Sequence, residues 1–169
     1  MNEKIKQKSF IQITTLISIF AFAISVFAVI LSMNVYKSEF RPYVGLKGLE
    51  LLALNPNYFE IRTILENKGR VPANNVKIEA FQVLEDGSKQ LFPGDATRQG
   101  LVLMPLSPFI YTLSANTNDL DSLIYSDRGW SIILQVKYDG IVTKNHTSFM
   151  EAKYDPDLEA FDITKGFAN

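Results

Sequence analysis

SFIQITTLISIFAFAISVFAVILSMNVY, running from Ser9 to Tyr36, holds no charged side chain, and the rest of the chain has to be placed around it. As an α-helix this run would be about 42 Å long at 1.5 Å per residue, whereas a bilayer core needs only about 20 apolar residues. Between Ile11 and Met33 lie six Ile, two Leu, three Phe and two Val. They favour insertion by about 5 kcal/mol, before Gln12 and the hydroxyl residues subtract a little. No Pro or Gly interrupts the run, and Ser and Thr hydroxyls can bond back to the helix backbone.

A cleaved signal peptide is the rival reading, with Met1–Lys8 as a basic leader and Ala21-Phe22-Ala23 as a small-residue cleavage site. Cleavage there would leave a mature chain beginning Ile24-Ser25-Val26-Phe27 with its apolar run exposed, so an uncleaved anchor is the reading adopted. A helix buried in a soluble protein should show a polar face, and this one has none.

Thr14, Ser18, Ala21, Ser25, Ala28 and Ser32 recur at spacings of four, three, four, three and four, a heptad seam of small residues on one helix face. In lipid, small side chains let two helices approach and hydroxyls bond across the contact, so this seam is the candidate helix-association face. Small residues are also common in spanning helices generally, and no GxxxG is present.

The chain contains seventeen basic and eighteen acidic residues; Lys4, Lys6, Lys8 and Glu3 precede the apolar run. Fourteen basic and seventeen acidic residues therefore follow it, and this mild acidity argues against a nucleic-acid partner. The absence of Cys removes disulfides, thiol nucleophiles and thiolate metal sites, while leaving the compartment open. Lys37, Arg41 and Lys47 balance the three N-terminal lysines, but the latter are packed into a shorter tail. The expected arrangement is a single-pass protein of the cell membrane with its N-terminus cytoplasmic and its C-terminal domain outside. The domain organisation read from the sequence is a basic tail over 1–9, a transmembrane helix over 10–36, a juxtamembrane linker over 37–42 and a β domain over 43–169.

Val35–Phe40 can continue the helix until Pro42 disfavours it at Arg41. The pattern then turns to short β-rich runs. Tyr43–Leu54 reads as one strand, or two broken at Gly48, and Tyr58–Glu66 alternates with Phe59, Ile61, Thr63 and Leu65 on one face. Asn75–Leu84 follows the Asn67-Lys68-Gly69 turn, and its apolar positions change face at Phe81 and Val83, which predicts a bulge near Ala80. Further strands are expected at Lys89–Phe92, Leu101–Met104 and Phe109–Ala115, with a short helix over Asp119–Tyr125. Trp130–Tyr138 alternates cleanly, and Asp139-Gly140 is a type I′ hairpin signal before Ile141–Lys153. Tyr154–Asn169 is an edge strand near Ala160–Ile163 or a tail. About seven or eight strands with almost no helix predict an all-β antiparallel sandwich.

The run Glu66-Asn67-Lys68-Gly69-Arg70-Val71-Pro72-Ala73-Asn74-Asn75-Val76 resembles the inter-strand turn of immunoglobulin-like, cell-adhesion-related bacterial domains. Arg41-Pro42-Tyr43 directly after a spanning helix is similar to uncharacterised bacterial single-pass membrane proteins that carry such a domain. The resemblance implies an immunoglobulin-like sandwich and carries over no active site.

His146 is the only histidine, so it reads as a surface or half-buried structural residue sharing a face with Val142, Lys144 and Met150. Asp119, Asp121 and Asp127, like Asp155, Asp157 and Glu159, lack calcium-loop spacing, and capping or a solvated tail suits them better. Isolated turn glycines cradle no phosphate, and the Asn145-His146-Thr147 sequon matters only in an exported eukaryotic chain. Phe81, Phe92, Phe109 and Tyr111 read as core rather than as a binding patch. No catalytic set, cofactor or metal site emerges.

The expectation is thus a membrane-anchored, non-enzymatic module that binds a protein partner or self-associates through its helix, with the lipid bilayer as its other partner. The alternatives are a sensory subunit whose sandwich binds a small ligand and, least supported, an enzyme. If the seam drives self-association, Ser25→Ile and Ala28→Ile should lower the signal of a membrane helix-association reporter. An unchanged signal would leave these small residues without an associative role.

Overall fold

The computed structural model describes residues 2–55, 58–84, 86–92, 96–115, 130–155, 157–158 and 160–168. The chain divides into two units, one ending at Glu39 and one beginning at Phe40.

The first unit is a single helix, α1 (Asn2–Glu39), which takes in the basic tail and half of the expected linker. It stops three residues short of Pro42, as the restriction on the residue before proline requires. Ser18 and Ser25 donate their hydroxyls to the carbonyls of Thr14 and Ala21 at 2.9 and 2.8 Å, so these hydroxyls are satisfied one turn back. Over Ile13–Glu39 the helix is long and apolar enough to cross a membrane, and no part of its most apolar window is buried.

The second unit is a β-sandwich. Its strands are β1 (Val44–Asn55), β2 (Tyr58–Asn67), β3 (Ala73–Val83), β4 (Lys89–Leu91), β5 (Thr97–Leu103), β6 (Pro108–Ala115), β7 (Ser131–Asp139), β8 (His146–Asp155) and β9 (Ala160–Ala168). One sheet has the order β1-β2-β6; the other runs β4-β3-β7-β8-β9, with β5 also paired to β3. All these strand pairings are antiparallel. The alternation that predicted half-buried strands is what builds the core. Ile61, Thr63 and Leu65 of β2 point inward, as do Ile132, Leu134, Val136 and Tyr138 of β7 and Met150, Ala152 and Tyr154 of β8. Trp130 lies between Phe92 and Tyr154, with Phe161 edge-on at 5.3 Å, and closes the core beside β9. Phe92 and Tyr111 are buried and Phe109 packs on the core as expected, whereas Phe81 is half-exposed.

The turn after β2 is organised by a buried side chain. Asn67 Oδ1 accepts from the backbone N–H groups of Tyr43 at 3.1 Å and Gly69 at 2.9 Å. Its Nδ2 donates to the carbonyls of Val71 at 2.8 Å and Leu103 at 3.0 Å. A Cβ on Gly69 would lie 2.5 Å from the Arg41 carbonyl oxygen and 2.7 Å from the Pro42 Cα and Tyr43 N, so only glycine lets residues 41–43 approach this turn. The next residue is held from the other sheet: Tyr138 Oη accepts from Val44 N at 3.3 Å, and Ser148 Oγ donates to the Val44 carbonyl. That leaves Tyr138 Oη to donate to Ser148 Oγ, 3.3 Å away. The first strand is therefore fixed to both sheets at its first residue.

Three local expectations are corrected. Asp139-Gly140 does not form a two-residue hairpin, because Tyr138 pairs with His146 and six residues, 140–145, lie between β7 and β8. Gly140 is required for space instead: a Cβ there would meet Pro42 Cδ at 2.6 Å and Thr143 Oγ1 at 2.8 Å. The irregularity in β3 sits at Asn75 (φ 50°), where the registers with β5 and β7 both shift, and not at Ala80. Inward burial runs on through Ala80 to Gln82, and Ile133 is buried on the opposite face, so hydrophobicity there does not report which side is core. The structure has nine strands among the described residues, each at a segment that the sequence signals, and β5 and β9 run longer than those signals. Gly48 marks a bulge inside one continuous β1, and the expected helix over Asp119–Tyr125 lies outside the described residues.

Asn67→Ala would orphan two backbone N–H groups and two carbonyls, and should cost about 2–4 kcal/mol. Gly69→Ala should cost a similar amount by pushing residues 41–43 away. Denaturant unfolding followed by Trp130 fluorescence measures both as a lowered midpoint at unchanged slope.

Candidate functional site

The six residues of the proposed association face, Thr14, Ser18, Ala21, Ser25, Ala28 and Ser32, all lie on the uninterrupted α1 and are all exposed within that unit. The Ser18 and Ser25 hydroxyls already donate within the helix, so contact through this face would rest on close packing and on accepting lone pairs.

The sandwich itself gathers several loops at the end where the chain arrives from α1. Residues 41–43 pack against Gly69 and Gly140, and the Leu106 amide donates to the Asn67 carbonyl at 2.8 Å. Segments 41–43, 67–72, 104–107 and 140–145 thus form one contiguous surface. Sequence reasoning did not assemble it. Its only signal was the paired requirement for glycine at positions 69 and 140, and that shows itself only once Pro42 lies between them.

The side chains that this surface presents are unusual for loops. Leu106 is 76% exposed and Ile141 67%, and Met104, Val142 and Tyr43 of the same segments are exposed as well. Leu106 also has a positive φ of 59°. The Ser107 amide donates to the Met104 carbonyl at 3.3 Å and Pro105 occupies the second position, so Leu106 fills the place in a type II turn that Gly or Asn normally takes. The left-handed backbone costs a branched residue about 1–2 kcal/mol, and exposure of its side chain returns nothing. Asn145 (φ 61°) bears a similar conformation as asparagines readily do. Arg41, Lys68, Arg70 and Lys144 are exposed on the same surface.

The 140–145 loop is held by Asp139, whose Oδ1 accepts the Asn145 amide at 3.0 Å while Oδ2 accepts from Asn75 Nδ2 at 3.1 Å. These hydrogen bonds, the Asn145 amide first, keep the carboxyl below its ordinary value of 3.8. His146 stands at the start of β8, stacked on Tyr138 with ring centroids 5.4 Å apart, with Nε2 2.6 Å from Thr143 Oγ1. It is half-buried and has a structural role. Among the described residues no three His, Asp or Glu side chains converge on a possible metal position; Asp119, Asp121, Asp127 and Glu159 lie outside them.

A cleft of ≈ 220 Å³ separates the start of β1 from β8 and β9, lined by Val44, Leu46, Lys68, Met150, Ile163 and Gly166 among others. On the outer face of the same sheet, Phe149 and Phe167 stack at 5.0 Å, so the edge strand β9 carries exposed apolar side chains.

No family model and no curated protein matches the chain. Among solved structures, β-glucosidase 3B from Thermotoga neapolitana, in complex with glucose, aligns at a TM-score of 0.37 and 12% identity. That alignment covers 75% of this chain but only 15% of the glucosidase. A putative ApaA protein from Bordetella pertussis aligns at a TM-score of 0.42 and 13% identity, over 76% of this chain and 94% of that one. Likeness at this level assigns no function.

A carboxylate whose pKa is lowered by folding supports the structure above its ordinary value and loses that support as the pH falls through the lowered pKa. Asp139→Ala should therefore speed hydrogen exchange at the Asn145 amide at neutral pH. In the native chain the same amide should lose protection only on acidification below about pH 4.

Proposed function

We propose that the chain is a membrane-anchored, non-enzymatic interaction module of the cell membrane, with α1 spanning the bilayer and the sandwich beside it. The observation that carries this reading is the long apolar stretch of α1, none of which is buried within its own unit. Such a surface is stable in lipid and costly in water. Four residues, 40–43, connect α1 to β1, and four residues extend at most about 14 Å, which favours a partner met close to the bilayer.

A protein partner, or a second copy held through Thr14, Ser18, Ala21, Ser25, Ala28 and Ser32, suits this arrangement. The long edge strand β9 with Ile163 and Phe167 exposed is where a partner strand or apolar surface would add. The immunoglobulin-like affinity of the sandwich and the orientation with the N-terminus inside belong to the same proposal. A ligand-sensing domain has the β1–β9 cleft in its favour. At ≈ 220 Å³, however, the cleft is smaller than the roughly 300–1,000 Å³ of typical small-molecule sites.

Membranes washed at alkaline pH should retain the chain at its full mass, including Ile11–Met33. A soluble product, or a mature chain beginning just after Ala23, would overturn the anchor. Protease added outside spheroplasts should remove the sandwich if the N-terminus is inside.

A further inference from the structure

We propose that the end of the sandwich formed by segments 41–43, 67–72, 104–107 and 140–145 is a second lipid contact, seated on the headgroups of a bilayer rich in anionic lipid. The proposal rests on the anchor reading and goes beyond it, because here the β domain itself touches the membrane.

Three observations point to a lipid surface as the occupant. The first is position: these loops surround residues 41–43, through which the chain passes from the apolar helix into the domain. The second is chemistry. Leu106 and Ile141 are among the most exposed large apolar side chains of the sandwich, with Met104 and Val142 next to them and Tyr43 placed as an interfacial aromatic. Arg41, Lys68, Arg70 and Lys144 stand among these tips, a pattern that matches acyl boundary and anionic headgroup together. The described loops at the opposite end also expose one apolar side chain, Leu158 at 73%, but set it beside the carboxylates of Asp155 and Asp157, with Asp86 exposed on the next loop.

The third is the backbone at Leu106. A turn that would be easier to form with Gly or Asn instead holds a leucine in the left-handed region with its side chain pointing out. Neither turn formation nor core packing explains that choice, whereas insertion of a loop tip does.

The chain has no cysteine, so single labels can be placed without a background. Spin labels at L106C, I141C, L158C and F27C in the full-length chain, reconstituted in phosphatidylglycerol-containing vesicles, would be compared for collision with oxygen and with a water-soluble nickel chelate. Labels at 106 and 141 should favour oxygen several-fold over the label at 158, and this preference should fall in pure phosphatidylcholine. Embedded label at 27 with water-exposed labels at 106 and 141 would overturn this inference and leave the anchor standing; a water-exposed label at 27 would overturn both. Leu106→Asn should leave the unfolding midpoint unchanged or raised, yet reduce the oxygen preference of the label at 141. A lowered midpoint with unchanged preference would give Leu106 a structural role and count against lipid contact.

Discussion

One buried carboxamide holds the β domain together at the turn beside which the chain enters β1. An asparagine side chain has two donor and two acceptor positions, and Asn67 spends all four on backbone groups of Tyr43, Gly69, Val71 and Leu103. Those groups belong to the lead into β1, the turn after β2 and the end of β5, so three stretches far apart in sequence are fixed by a single rotamer. A buried polar group is tolerable only when every valence is met, and here it is. Gly69 supplies the other half of the device by leaving room for the backbone of residues 41–43. The helix-to-sandwich connection is thereby made part of the core, beside Val44, which Tyr138 and Ser148 hold from the opposite sheet.

Much of this fold could be read in advance where one face of a strand is wet. Alternation in β2 and β7 located both strands within a residue or two, and the uncharged run to Tyr36 announced α1. Pro42 explained where that helix ends. The reading failed where a residue's reason lies across the fold. Gly140 looks like a hairpin residue locally, but it is small because Pro42, nearly a hundred positions away, packs on it. Phe81 and Val83 suggested a face change because Ile133 and its neighbours make that part of the sheet apolar on both sides. Asn67 was visible as a turn residue, whereas its reach to Leu103 was not, since side-chain hydrogen bonds leave no periodicity.

The candidate sites were unequally legible. The small-residue seam on α1 is a matter of spacing alone, so sequence and structure place it alike. The apolar loop surface needed the fold, because the segments carrying Tyr43, Leu106 and Ile141 meet only through the packing of Pro42 on Gly69 and Gly140 and the Leu106 amide bond to Asn67. In both places hydrophobic surface stays outside a core, and a protein keeps such surface when another phase or another molecule covers it.

The fastening of Val44 has a mechanical consequence. Tension applied to the chain ahead of β1 and directed along that strand would arrive first at Tyr43 and Val44. It would load the Asn67, Tyr138 and Ser148 contacts and the β1–β2 ladder in shear, all at once, instead of peeling bonds one by one. A module wired in this way resists being pulled from its N-terminal side better than one whose first strand is tied to a single neighbour, because rupture has to break into both layers together.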